Sequence, residues 1–292
     1  MIDISHSSPQ GDPEDDTVDL WFLPGPDIDD ESPAFPTGIA PPDQAPLFDP
    51  APWQEAQALL SVELAEVAAL SGALSTRLRN GPEGWMHRLA LREVANLSWW
   101  AGDRLSEDRI SLWVLLRLAA TGDDTQALSR AAWAIRRLTG PLDPMTNPAG
   151  FLELPPEDQR PDDRAGEAAG DLQEILDGGI GLHPIAAASR AFFAWRSIRV
   201  SPATDMEAAV IAERVGRGAV HGRLGQAPFL PLAQTGPTAL RGQGPIMDRL
   251  SLWLRGAEEA NLSALLHLDR LERWQIRAEM DTRDLSGRTP PA

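Results

Sequence analysis

Few residues in this 292-residue chain have the type and spacing that chemistry requires. The histidines are His6, His87, His183, His221 and His267. None pairs with another at the spacing that puts two imidazoles on one helix face, so no metal site is expected. Arg92 and Glu93 adjoin in a helical stretch. They can act as a catalytic pair, or, more commonly, as a structural ion pair between helices. Gly216-Arg217-Gly218 has half the letters of a nucleotide loop, but no strand precedes it and the third glycine is misplaced. No Gly-x-Ser-x-Gly elbow occurs. Residues 208–247 hold one acid, Glu213, against Arg214, Arg217, Arg223 and Arg241. This is the one net-positive stretch. It can meet an anion or receive an acidic segment of the same chain, and the second is the simpler reading beside a whole-chain charge of −17.

The missing residue types exclude more than the present ones suggest. All 26 bases are Arg, and there is no Cys and no Tyr. Without Cys there is no disulfide framework, thiolate zinc site or cysteine nucleophile. Without Lys there is no Walker-type phosphate loop and no Schiff-base chemistry. No cofactor is expected.

Charge divides the chain. Residues 1–50 carry 12 acids and no Arg, and 11 prolines fall in the first 52 residues. Low hydrophobicity, high charge and dense proline predict an acidic disordered arm over 1–50, a body over 51–281 and a disordered tail over 282–292. Asp27, Asp29, Asp30 and Glu31 lack the glycine and terminal Glu of a calcium loop and read as a solvated run. Met1 is followed by no basic and apolar leader, and no run of about 18 apolar residues occurs, so the expectation is a cytoplasmic protein with no membrane span.

One block interrupts the arm. Leu20, Trp21, Phe22 and Leu23, followed by Pro24, lie between Asp19 and Asp27. Large apolar side chains in a solvated arm call for a surface to bury against. That surface is either a partner's groove, which makes the block a partner-binding motif, or the protein's own body.

The body must position whatever function there is, and its periodicity is helical throughout. Leu60, Leu64, Val67, Leu74 and Leu78 put one stripe on a helix of roughly seven turns ending near Asn80-Gly81-Pro82. Further helices are predicted over about Trp85–Ala101, from Ser106, over Thr125–Thr139, Arg164–Asp177, Pro184–Arg199, Thr204–Val220 and Ile246–Met280. Pro144 to Pro161 reads as an irregular loop. No strand-period run appears, so the fold class is all-α. Most of the ten Trp are expected in the core.

The run Trp85-Met86-His87-Arg88-Leu89-Ala90-Leu91-Arg92-Glu93-Val94, continuing to Leu97-Ser98-Trp99-Trp100-Ala101-Gly102, resembles the N-terminal helical region of Fic/Doc proteins. His183-Pro184, Ala191-Phe192-Phe193-Ala194-Trp195-Arg196, the helix to Val220 and Asp248–Leu271 look like the Fic core and its closing helix. Ala132-Trp133-Ala134-Ile135-Arg136-Arg137-Leu138 and Gly150-Phe151-Leu152 are similar to an uncharacterised bacterial family that joins such a region to a C-terminal helix-turn-helix domain. The resemblance implies a Fic-like helical bundle. Active members need His-Pro-Phe-x-Asp/Glu-Gly-Asn-Gly-Arg, whose His is the general base and whose glycine-rich turn cradles phosphates. Here the corresponding region reads Arg196-Ser197-Ile198-Arg199-Val200-Ser201-Pro202-Ala203-Thr204-Asp205, and His183-Pro184 is followed by Ile185. The Glu of the family's inhibitory motif is replaced by Ala101 before Gly102. Gly287-Arg288-Thr289-Pro290-Pro291 cannot form a helix-turn-helix, so a DNA-reading domain is expected to be absent.

The expectation is therefore a non-catalytic regulatory or protein-interaction module on a degenerate Fic-like scaffold. Its partner is a protein, with no direct nucleic-acid contact, and self-association is left open. Two alternatives stand beside it: a transcription-regulator-like protein acting with DNA or a DNA-binding partner, and a divergent nucleotidyl transferase using Arg196, Arg199 and Asp205. Candidate anion or arm contacts are Arg196, Arg199, Arg214, Arg217 and Arg223.

Overall fold

Proline, glycine and small polar caps set most helix ends in the computed structural model, which describes residues 45–116, 122–153, 162–198, 202–219 and 228–283. All of them fall in one compact unit. The helices are α1 (Ala45–Phe48), α2 (Pro50–Leu59), α3 (Ser61–Asn80), α4 (Gly84–Ala101), α5 (Glu107–Leu116), α6 (Gly122–Thr139), α7 (Pro148–Leu152), α8 (Asp162–Asp177), α9 (Pro184–Ile198), α10 (Pro202–Gly216) and α11 (Ile246–Arg283). No strand occurs among the described residues. The fold is an all-α bundle. Asp49 caps α2 by accepting from Ala51 N, and Gly102 closes α4 in the left-handed region at φ 95°. Among the described residues no single helix is long and apolar enough to cross a membrane.

Three expectations are corrected. The predicted seven-turn first helix is two helices, α2 and α3, bent by 84°. The break has a packing cause. Trp53 of α2 stacks on Phe193 of α9 with ring centroids 6.4 Å apart where α2 lies across α9 and α11, whereas Leu64, Val67 and Leu74 bury along α3, which lies against α11. Two burial directions cannot be served by one straight axis, and Leu60 turns between them at φ −100°, ψ 28°. The segment read as a loop from Pro144 contains α7. Asn147 caps it through Gly150 N, and Phe151 is buried edge-on against Trp133. Residues 45–50 of the expected arm are largely helical with Leu47 buried, whereas the long last helix, expected over about Ile246–Met280, is present as Ile246–Arg283.

The core centres on α9. Phe192 and Phe193 pack edge to face at 5.0 Å, Trp253 of α11 lies 5.4 Å from Phe192, and Trp100 of α4 lies 5.9 Å from it. Trp53, Trp133, Trp195 and Trp253 are fully buried, as expected for most tryptophans, but Trp99 and Trp274 are exposed. Between α10 and α11 the chain runs through an irregular segment, 228–245, that carries the turn Ala239–Arg241. That turn presses on α11 so closely that a Cβ at Gly256 would lie 2.2 Å from Ala239 N. The irregular segment is what the candidate site holds in place.

Candidate functional site

An irregular segment crossing a helical core must have its backbone groups satisfied by something other than a ladder. Here ionisable side chains do it. Glu93 faces inward from α4 and is fully buried. Its Oε1 accepts from the backbone N–H of Leu232, at 2.8 Å, and from that of Ala233. Its Oε2 accepts from Gln234 Nε2 at 2.6 Å, and the same Nε2 donates to Leu89 O at 3.1 Å. On the other side Leu230 N donates to the backbone carbonyl of Glu213 at 2.9 Å. Residues 230–234 are thereby sewn between α4 and α10.

Glu213, on α10, is also fully buried, and its carboxyl lies against that of Glu93. Among the described residues no hydrogen-bond donor reaches its oxygens. Burial pushes the Glu213 carboxyl well above the usual carboxylate range, and the neighbouring Glu93 charge and hydrogen bond push it further. Burial also raises Glu93, but its hydrogen bonds to Glu213, Leu232, Ala233 and Gln234 oppose the rise. Glu213 is therefore the more readily protonated of the two, and the three donors around Glu93 favour its charged form.

The guanidinium of Arg214, next in sequence, grips the start of the same segment. It donates to Pro228 O at 2.7 Å, Leu142 O at 2.6 Å and Leu138 O at 3.3 Å. Burial lowers its pKa to about 10, with Arg217 adding to the effect and Asp143 opposing it. Arg92 does not pair with Glu93. It donates to His267 Nδ1 at 3.1 Å and to Gln234 O at 3.4 Å, so the expected pairing of Arg92 with Glu93, catalytic or structural, is corrected. The two side chains leave α4 in different directions, one into the core and one toward α11.

The sequence-nominated arginines fall in different places. Arg196 pairs with Asp205 at 2.6 Å and covers the rings of Trp100 and Phe192. Arg214 lies ~13 Å further along α10 than Asp205, at 1.5 Å per residue, and is spent on carbonyls. Arg217 pairs with Asp143. Arg199, Arg223 and the block Leu20, Trp21, Phe22 and Leu23 lie outside the described residues. Sequence reasoning passed over Glu213 and Gln234. The available signal was Glu213 as a lone acid directly after Ala208-Ala209-Val210-Ile211-Ala212, a run that has to be buried. Gln234 gave no such signal.

His183 is bound into the bundle. Its N–H donates to Gln57 Oε1 at 2.9 Å, and its Nδ1 accepts from Ile185 N at 3.3 Å at the start of α9. Among the described residues no group of three or more His, Asp or Glu is placed to hold a metal ion. Protein-family models, curated proteins and solved structures give no match to this chain.

Proposed function

We propose that this chain is a non-catalytic protein-interaction or regulatory module. The observation that carries the reading is where its ionisable groups are spent. Glu93, Arg137, Arg190 and Arg214 are buried, and each bonds the backbone of a neighbouring segment, while Glu213 is sealed against Glu93. These groups serve the shape of the bundle. Large apolar side chains, by contrast, stand in solvent: Leu59, Val62, Trp99, Leu115 and Ile180 are all exposed. A body built in this way supports contact better than turnover.

The contact element we assign is Leu20–Leu23, with a protein as its partner and the cytoplasm as its compartment. A Fic-like origin for the bundle belongs to the same proposal and rests on the short strings quoted above. The experiment compares the full chain with its Trp21→Ala, Phe22→Ala variant in native lysate, by cross-linking and mass spectrometry. A discrete protein captured by the parent chain and lost from the variant supports the reading. Equal capture by both, or labelling of lysate proteins from ATP that the purified chain catalyses, overturns it.

A further inference from the structure

Helix α11 has two apolar stripes, and only one of them faces the core. Leu250, Trp253, Leu254, Ala257, Ala264 and Leu268 form the buried stripe. On the opposite side Leu262, Leu266, Ile276 and Met280 are 43–61% exposed. With Asp269 and Arg273 between them they follow steps of 4, 3, 4, 3 and 4, the alternation of a coiled-coil seam. Past Leu271 no residue of α11 is buried; Arg77 holds Glu272 and Arg88 lies over the Trp274 ring, while Ile276 and Met280 stand in solvent. A short helix end in water is marginal unless something packs on it.

The outer stripe is its own complement when reversed. About residue 271 as centre, Leu262 mirrors Met280, Leu266 mirrors Ile276, and Asp269 mirrors Arg273. Two copies of the helix laid antiparallel with a two-fold axis beside residue 271 therefore match apolar to apolar and acid to base at every layer. Such self-complementarity is what an isologous contact needs. Polar layers at the centre fix the register, because a slip by one heptad sets Asp269 or Arg273 against an apolar residue. Arg77 of α3 already binds Asp269 and Glu272, at 2.6 and 2.9 Å, so the acids nearest the axis bring a counter-charge with them.

We propose that a second copy of this chain covers the outer face of α11, in an antiparallel two-fold pairing centred on residue 271. This goes beyond the proposed partner motif, uses different residues, and is tested on purified protein alone, so either can fail without the other.

Because the chain has no Cys, cross-linking reads the geometry without background. The test uses the full chain with Leu266→Cys and Ile276→Cys together, and each singly, under mild oxidation. Antiparallel pairing brings residue 266 of one copy beside residue 276 of the other. It leaves like positions ~15 Å apart, at 1.5 Å per residue over ten residues, beyond disulfide reach. The double variant is expected to form a covalent dimer and the single variants to stay monomeric on non-reducing gels. Sedimentation of the unmodified chain at micromolar concentration is expected to give twice the chain mass. Leu266→Asp with Ile276→Asp, both at exposed sites, is expected to give the monomer mass with unchanged circular dichroism. A monomeric parent chain, a dimer that survives the double Asp substitution, or cross-linking by Leu266→Cys alone overturns the proposal.

Discussion

Glu213 and Glu93 lie carboxyl against carboxyl inside the bundle, both fully buried, and burial pushes both above the usual carboxylate range, Glu213 the further. Two adjacent unprotonated carboxylates there would repel in a medium that screens them poorly. Of the two, Glu93 on α4 is the one whose charge is favoured, because the N–H donors of 232–234 converge on it. The segment between α10 and α11 thus closes on α4 through Glu93 and on α10 through Leu230 N and the Glu213 carbonyl.

This pair gives stability an alkaline limb. Its folded pKa values are raised, so the folded state holds protons that the unfolded chain has released. Stability is fully present below the ordinary carboxylate pKa of about 4.3 and declines as pH rises toward the folded values. Glu213→Gln keeps a donor facing Glu93 and removes the titration. Calorimetry from pH 5 to 9 is expected to show a melting temperature that falls less steeply with pH in the variant than in the parent. An unchanged slope would show that the pair does not titrate as described.

Glu93→Ala tests the other half. Truncation leaves Leu232 N and Ala233 N buried without their acceptor, at ~1–3 kcal/mol for each unsatisfied group, and removes one of the two acceptors of Gln234 Nε2. The expected loss is on the order of 3 kcal/mol or more, and hydrogen exchange at Leu232 and Ala233 is expected to accelerate before that of the α9 core. Uniform exchange through both regions would contradict a local clamp.

Much of this architecture is legible in the sequence, and the misses share a cause. Helices α4, α9 and α10 are marked by apolar period and by glycine or proline at their ends, as with Gly102 and Pro184. The bend at Leu60 is not so marked, because the stripe through Leu60 and Leu64 continues across it; the turn follows from where α9 and α11 lie, which is tertiary information. The site was half visible. Glu93 is singled out in the sequence only as the neighbour of Arg92, but its partners lie about 120 to 140 residues away, and spacing along the chain says nothing about them. Arg214 read as part of a basic stretch because charge counting does not distinguish a guanidinium facing water from one bonded to three carbonyls.

His267 gives stability an acidic limb of opposite sign. Partial burial holds its pKa below the usual histidine value, and Arg92, Arg270 and Arg88 lower it further. The neutral ring accepts from Arg92, which protonation would forbid. The unfolded chain then binds a proton more readily than the folded one, so stability present above about pH 6.5 is lost as pH falls toward the folded pKa. His267→Gln, whose amide oxygen can accept from Arg92, is expected to flatten the melting-temperature profile between pH 7 and 5 while leaving the alkaline limb intact. A variant that parallels the parent across that interval would remove His267 as the source.

Gly256 tests whether the turn Ala239–Arg241 is truly seated on α11. A helix interior ordinarily gains from Gly→Ala, by ~0.5–1 kcal/mol, since alanine loses less backbone freedom. At Gly256 the gain is opposed by contact, because the added methyl would lie 2.2 Å from Ala239 N and 2.7 Å from Ala239 Cα. Both are atoms of a fixed backbone segment, not the end of a flexible side chain, so the turn has to move outward. That movement would disturb the neighbouring Gly242, itself packed against Phe193 and Arg249. Overpacking of this kind costs ~1–3 kcal/mol, which outweighs the propensity gain. Gly256→Ala is therefore expected to lower the melting temperature. Gly72→Ala on α3, where a Cβ meets nothing within 4 Å, is the matched control and is expected to hold or raise it. If both substitutions stabilise, the turn is not pressed against α11. If Gly256→Ala alone destabilises, and hydrogen exchange quickens at Ala239 and Leu240, the close approach is the cause.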